Sequence, residues 1–298
     1  MTGMRHAGPT EPQFWQLWRD KRGRLSPLRL GVLMLLILPL VKALIDAEAI
    51  AHGARPINEL IHRAGFWALV FLGVTLAVTP FRRVLRYGNL IDVRRMLGVG
   101  AFCYIAAHLC LYIADQSYDL GKVAYEITHR WYLIIGGTAW LGLAVLAATS
   151  TDGMMRRLGG LRWRRLHQIV YAIVLLALIH YFQQTKADVT VPIFAAGLFL
   201  WLLGYRLLAW WLDTSELSTI SLVGLAIAVA AVTFIGEAIG VSLAFPVSPL
   251  QVLATAFDFD AGIRPGWEVL PGGLAVAVLD FAAARWRSGR RVRAVAAE

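Results

Sequence analysis

Eight apolar runs, near residues 30–46, 64–80, 97–114, 131–149, 166–182, 191–212, 218–236 and 268–284, dominate this chain. Each approaches the ~20 residues that an α-helix needs to cross the hydrocarbon core of a bilayer. In lipid every backbone N–H and C=O must be bonded internally, which short runs joined by polar loops achieve only as helices. The sequence therefore predicts an all-α integral membrane protein, a helical bundle of about eight spans. Of the 298 residues 58% are hydrophobic and only 16% charged, and the mean hydropathy is +0.61. A soluble domain of this length needs more polar surface. Between the last two runs, Ser242 to Phe257 is apolar but broken by Pro246 and Pro249. It reads as a re-entrant or surface segment, with a ninth span as the alternative.

Arginine sets the expected orientation. Arg82, Arg83, Arg86, Arg94 and Arg95 fill one loop, and Arg156, Arg157, Arg162, Arg164 and Arg165 another. The leader (Arg19, Lys21, Arg22, Arg24, Arg29) and the tail (Arg285, Arg287, Arg290, Arg291, Arg293) are basic as well. The alternate loops instead carry Asp115, Asp119, Glu126 and Asp188. By the positive-inside rule the termini and the arginine loops face the cytoplasm, a parity that eight spans satisfy. The net charge of +10 thus reads as anchoring on membrane lipid, with no soluble basic surface left for nucleic acid. Ala47-Glu48-Ala49 resembles a signal-peptide cleavage site, but Lys42, Asp46 and the long basic leader favour an uncleaved anchor. Cys103 and Cys110, seven residues apart on one predicted helix, lie ~10 Å apart along its axis, too far to bridge each other.

Three of the seven histidines fall within runs: His108 in the third, His167 and His180 in the fifth. An ionisable residue at membrane depth is costly and points to function; the alternative is a satisfied interhelical hydrogen bond. Imidazole suits iron, and a bundle can offer haem its axial ligands from facing helices. The third and fifth spans run parallel, and His108 and His180 sit at comparable depth toward the outer leaflet. One haem clamped between them is the simplest reading. His167 lies 13 residues before His180, ~20 Å toward the cytoplasm, where the matching position of the third span holds Arg94. Thirteen residues do not return to the same helical face. Either the fifth helix is distorted between His167 and His180 or the two serve different faces. His62 and His129, beside Arg and Trp at span ends, read as interface residues. His6 and His52 carry no role.

The segments Arg94-Arg95-Met96-Leu97-Gly98, Ala107-His108-Leu109, Leu166-His167-Gln168-Ile169-Val170-Tyr171 and Ile179-His180-Tyr181 resemble those of the MsrQ (YedZ) family of haem-binding membrane subunits. Val78-Thr79-Pro80, Ala148-Thr149-Ser150-Thr151 and Leu158-Gly159 support the resemblance, which covers about residues 55–210. That family belongs to the ferric-reductase-like transmembrane group. The resemblance implies a six-span core, His108 and His180 as ligands of haem b, and His167 as a further haem or relay residue. It also implies a bacterial inner-membrane location, a cytoplasmic flavin reductase or quinol as donor, and a periplasmic molybdopterin partner (MsrP-like) that reduces methionine sulfoxide in envelope proteins. Short members end soon after the sixth span, whereas about 85 residues (213–298) follow that span here, so the partners and stoichiometry of the short form need not carry over. The expected organisation is a basic cytoplasmic segment (1–29), a six-span haem domain (30–212) and an extension (213–298) with about two further spans. In that extension Gly236 and Gly240 have a small-xxx-small spacing around an unusual Glu237.

A haem between two imidazoles has no open coordination position, so it passes electrons and leaves the chain without a catalytic substrate site of its own. The gap to the cytoplasm, ~20 Å by helical rise, calls for a second carrier. Flavin mononucleotide (FMN) beside His167, its phosphate drawn to Arg94, Arg95, Arg164 and Arg165, fits that need, since arginine pairs with phosphate through two hydrogen bonds. The alternative for the arginines is plain anchoring. Three rival functions stay open: a ferric-reductase-like or quinol-linked cytochrome b with another acceptor, a transporter with a histidine proton relay, and a haem-binding regulator. The lack of an inverted repeat counts against the transporter.

Overall fold

A computed structural model describes residues 18, 19, 23–185, 188–260 and 262–295. His6, Lys21, Arg22 and most of the basic leader lie outside the described residues, as do the side chains of Arg287, Arg290, Arg291 and Arg293. Among these residues thirteen α-helices form, in the order α1 (Pro27–Ile45), α2 (Ala47–Ala51), α3 (Pro56–Val84), α4 (Ile91–Asp115), α5 (Leu120–His129), α6 (Trp131–Ala148), α7 (Asp152–Leu158), α8 (Gly160–His167), α9 (Val170–Gln184), α10 (Thr190–Trp211), α11 (Thr219–Ala244), α12 (Pro249–Ala254) and α13 (Pro265–Val295). Short 3₁₀ turns precede α4 and follow α12. No strand forms among the described residues, where the only β-type contact is an isolated Arg19–Leu25 bridge.

Among the described residues, eight segments are long and apolar enough to cross a membrane: α1, α3, Gly88–Asp115, α6, Gly160–Gln184, α10, α11 and Pro265–Trp286. They coincide with the eight apolar runs, but several helices outrun them. The first two turns of α3 are polar, and Arg63 holds them by pairing with Glu59 one turn back at 2.7 Å. α11 likewise continues through Gly236 and Gly240 to Ala244. A helix does not stop where apolar residues stop; it stops where its end groups are capped or its backbone turned. Ser26 caps α1 with Pro27 at its first position, Ser218 caps α11, and Gly159 with φ +73° closes α7. After Phe245 the chain reverses into α12, which opens on a Ser248–Gln251 capping box. Six residues are far short of the ~20 a crossing requires, so Ser242–Phe257 makes no ninth span.

The chain divides into two compact units, one of residues 1–75, 89–124 and 144–163, the other of 76–88, 125–143 and 164–298. In the first, α1 buries only Pro39 while Met34, Leu38 and Leu44 are exposed, as in a helix facing lipid. It docks on α4 through Tyr104, whose hydroxyl donates to the Leu36 carbonyl at 2.7 Å. Trp67, Phe71 and Tyr104 stack in series, with ring centroids 5.8 and 5.2 Å apart, and tie α3 to α4. In the second unit α10, α11 and α13 pack against one another. Small residues set the approach: Gly197 lies against Val269 and Thr233, Gly204 against Leu225, and Gly273 against Ala226 and Trp201.

Two polar groups within spans have specific partners. Pro80 has no N–H to give the Leu76 carbonyl one turn back in α3, and an orphan carbonyl is expensive in lipid. The Arg206 guanidinium of α10 donates to that carbonyl, gives a second N–H to Leu202 at 2.5 Å, and lies 5.7 Å over the Tyr171 ring. Glu237 of α11, 4% exposed, accepts from Arg264 at 3.3 Å, and Arg264 also donates to Thr255 at 2.5 Å. The unusual acid of the extension therefore pins the chain reversal to α11.

Candidate cofactor site

His108 lies in α4 and His180 in α9, each half-buried. The two rings are held in the same way, each within its own unit. His108 Nδ1–H donates to the Ile61 carbonyl of α3 at 2.8 Å. His180 Nδ1–H donates to the Tyr132 carbonyl of α6 at 2.8 Å. A carbonyl only accepts, so each bond fixes the proton on Nδ1 and puts the ring's lone pair on Nε2. That is the state in which imidazole binds a metal, and a backbone carbonyl on the far nitrogen is the usual second partner of a metal-bound histidine.

The remaining histidines with described ring bonds behave differently. His52, His62 and His129 each donate Nδ1–H to the carbonyl four residues earlier in their own helix, those of Glu48, Asn58 and Tyr125, at 2.7–2.8 Å. His129 also stacks on Tyr125 with ring centroids 3.9 Å apart. All three are exposed. Of the histidines whose ring bonds are described, His108 and His180 spend the bond on another helix, which fixes ring orientation against tertiary structure and not merely against their own backbone.

His167 ends α8, and the fifth span is interrupted immediately after it: α9 begins at Val170. Across the break Gln168, Ile169 and Tyr171 donate to carbonyls three residues back, those of Arg165, Leu166 and Gln168, at 3.1–3.2 Å. The fifth span is thus distorted between His167 and His180, one of the two arrangements that the 13-residue spacing left open. A 3₁₀ turn adds roughly 60° of rotation to the α-helical path, bringing His167 and His180 nearer to one face without aligning them.

The arginines divide. Arg164 and Arg165 are exposed in the last turn of α8, beside His167 in sequence. Arg94 is half-buried near the start of α4. Arg95 is committed: it donates to the Asp152 carboxylate and to the Ser150 carbonyl at 3.4 Å, binding α4 to the start of α7. Sequence reasoning missed that partner, and it missed Gly65 and Gly136, the glycines against which the two rings rest. The only sign of them was a glycine in the middle of an apolar helix with no cap or turn to explain it. Cys103 and Cys110 are both free thiols and exposed.

Among the described residues no group of three or more His, Cys, Asp or Glu side chains could hold a metal ion. A porphyrin fills the equatorial positions of its own iron, so axial imidazoles are all that a protein must provide. The donors present, two oriented imidazoles in apolar spans, fit that requirement.

The Ferric reductase like transmembrane component family matches residues 64–178, a stretch that includes His108 and His167 and stops just before His180. The protein-methionine-sulfoxide reductase heme-binding subunit MsrQ of Rhodospirillum rubrum is 40% identical over 190 residues, 63% of this chain and 89% of that protein. This chain belongs to the MsrQ family. The MsrQ of Xanthomonas campestris pv. campestris is 45% identical over 157 residues, 52% of this chain and 72% of its own length. That of Xanthomonas oryzae pv. oryzae is 45% identical over 161 residues, 54% and 72% of the two chains. No solved structure matches. MsrQ membership and the eight apolar helices make this a multi-pass membrane protein.

Proposed function

We propose that this chain transfers electrons across the bacterial inner membrane through b-type haem, which His108 and His180 would hold through their imidazoles. The observation that carries the reading is that these two, unlike the histidines at span ends, donate Nδ1–H to the carbonyl of a second helix. Bound haem would supply reversible one-electron chemistry at its iron. The chain's own part is to present two neutral imidazoles through Nε2 and to make each more basic through its bonded carbonyl. The spans exclude water around them and lower the local dielectric.

In this reading both termini face the cytoplasm, where a flavin reductase or quinol donates. The acceptor is a periplasmic molybdopterin subunit of the MsrP type that reduces methionine sulfoxide in oxidised envelope proteins. The similarity to proteins named as heme-binding subunits of a methionine-sulfoxide reductase supports both haem and partner. His167 serves a second carrier, FMN, with Arg164 and Arg165 offering the phosphate two exposed guanidinium groups. Arg94 would join them from the start of α4, whereas Arg95 is the weaker candidate, since it would have to release Asp152 first. Residues 213–298 form an extension beyond the six-span haem domain (30–212) and the basic segment 1–29.

The test is the reduced-minus-oxidised visible spectrum with haem and flavin measured per chain. A low-spin b-type spectrum is expected in the wild type, and its loss in His108→Ala and His180→Ala. A colourless chain that refuses added haem overturns the reading. Absence of flavin after FMN addition removes the second carrier alone. The match to a ferric-reductase-like family favours one other acceptor, a ferric chelate; reduction of chelates without any periplasmic protein would select it.

A further inference from the structure

Gly65 and Gly136 stand in the same relation to the two candidate haem ligands. The Ile61 carbonyl that accepts from His108 lies four residues before Gly65, and the Tyr132 carbonyl that accepts from His180 lies four residues before Gly136. The spacing has a geometric cause. In an α-helix the carbonyl of residue i points along the axis toward residue i+4. A ring from a neighbouring helix that reaches this carbonyl must lie over the backbone of residue i+4. Any Cβ there would tilt toward the helix N-terminus, and so into the ring. Added at Gly65, it would come within 3.0 Å of His108 Nδ1 and 3.2 Å of Cε1. Added at Gly136, it would come within 2.8 Å of both Nδ1 and Cε1 of His180 and 3.2 Å of Nε2. Such a ring must pivot, and the pivot lengthens the very bond that sets its tautomer.

We infer that Gly65 and Gly136 are positioning residues, each completing a carbonyl-plus-glycine cradle that aims the Nε2 of one histidine at the haem iron. The inference rests on His108 and His180 being the ligands. The glycines touch no cofactor in this account; they act through the rings. The cradle has two parts on one turn of one helix: an acceptor that fixes the proton and an absent side chain that lets the Nδ1–Cε1 edge of the ring come close to the backbone. Substituting the glycine changes ring orientation and Nδ1 bonding together, and these are the levers that set a haem's potential and spectrum.

Two other glycines supply controls. Gly73, also in α3, has nothing within 4 Å of an added Cβ. Gly142, also in α6, would bring a Cβ within 2.9 Å of the Ile173 side chain of α9. Gly142→Ala therefore strains the same pair of helices as Gly136→Ala without touching the ring. The experiment measures haem per chain, midpoint potential and the low-spin electron paramagnetic resonance signal of the full-length protein in detergent. Thermal melting and elution profile report the fold. Gly136→Ala should lose haem about tenfold or more, the loss expected when the outer partner of a metal ligand is removed. Gly65→Ala, with looser contacts, should keep most of its haem with a shifted potential and resonance signal, while Gly73→Ala matches the wild type.

The inference is overturned if Gly65→Ala and Gly136→Ala both keep wild-type haem content, potential and signal. It is overturned equally if Gly142→Ala reproduces their changes, since helix packing would then be the cause. Should Gly136→Ala fail to fold, the spectroscopic shift in folded Gly65→Ala decides. A wild type that takes up no haem overturns the ligand assignment itself, and the cradles with it.

Discussion

Four polar side chains within the spans reach across to the backbone of a different helix: His108 to Ile61, His180 to Tyr132, Tyr104 to Leu36 and Arg206 to Leu76. At the span ends others turn back on themselves or form exposed pairs. His52, His62 and His129 bond their own helices, and Asp46 meets Arg63 and Lys42 at 2.7 and 3.1 Å where water competes. The residue types overlap and the bond lengths are alike. What differs is information: a bond to one's own helix survives any rearrangement of the bundle, whereas a bond to another helix exists in only one arrangement. A group meant to hold a cofactor in a fixed place belongs with those bonded to another helix, and this is the physical reason for preferring His108 and His180 over the histidines at the span ends.

The strongest way to break the comparison is to exchange histidines between the two regions. His62→Ala and His129→Ala should keep wild-type haem content and potential, while His180→Ala and His108→Ala should lose the low-spin spectrum. A loss of haem in His129→Ala equal to that in His180→Ala would erase the distinction. Next in size is Arg206→Leu, which strands the carbonyl freed by Pro80 and should lower stability by about 1–3 kcal/mol, read from thermal melting in detergent. Replacing Pro80 by Ala in the same background returns an N–H to Leu76 and should recover most of that loss. Tyr104→Phe removes one neutral interhelical bond and should cost about 1 kcal/mol or less, because a loosened helix finds other partners.

The smallest effect lies in the exposed pair. The hydrogen bond from Arg63, then that from Lys42, holds the Asp46 carboxyl below its ordinary value near 3.8. A depressed folded-state value means that its stabilisation is fully present above 3.8 and is lost as pH falls through the lower folded value. Asp46→Asn should therefore melt slightly below the wild type at neutral pH. That small gap should close in acid, below the folded value. A gap that widened on acidification would have the wrong sign for this ion pair.

Much of the fold was legible because its signal is local and additive. Hydropathy summed along the chain gives eight spans, and eight helices of sufficient length form. Their ends were less legible, because capping by Ser26 and Ser218 and the Glu59–Arg63 pair extend or stop helices independently of apolar content. The histidine spacing went further, since 13 residues on one helix posed a choice between distortion and separate faces, and the helix is indeed broken after His167, though without bringing the two side chains into line. Arg95 marks where such reasoning fails: a cation in a basic loop looks available for phosphate, and only Asp152, 57 positions away, shows it to be engaged.

By itself, then, the sequence determined that this chain lives in a membrane as a helical bundle, and it singled out His108 and His180 through the cost of placing imidazole at that depth. It could not determine that Ile61 and Tyr132 accept their protons or that Gly65 and Gly136 lie beneath their rings. Nor could it tell that Arg206 answers Pro80 or that Arg264 answers Glu237. Those are pairings between residues on separate helices, and nothing in periodicity or composition encodes which turn of one helix meets which turn of another. Only packing decides that, because a hydrogen bond at 2.8 Å and a missing Cβ are meaningful only once two backbones have been brought together.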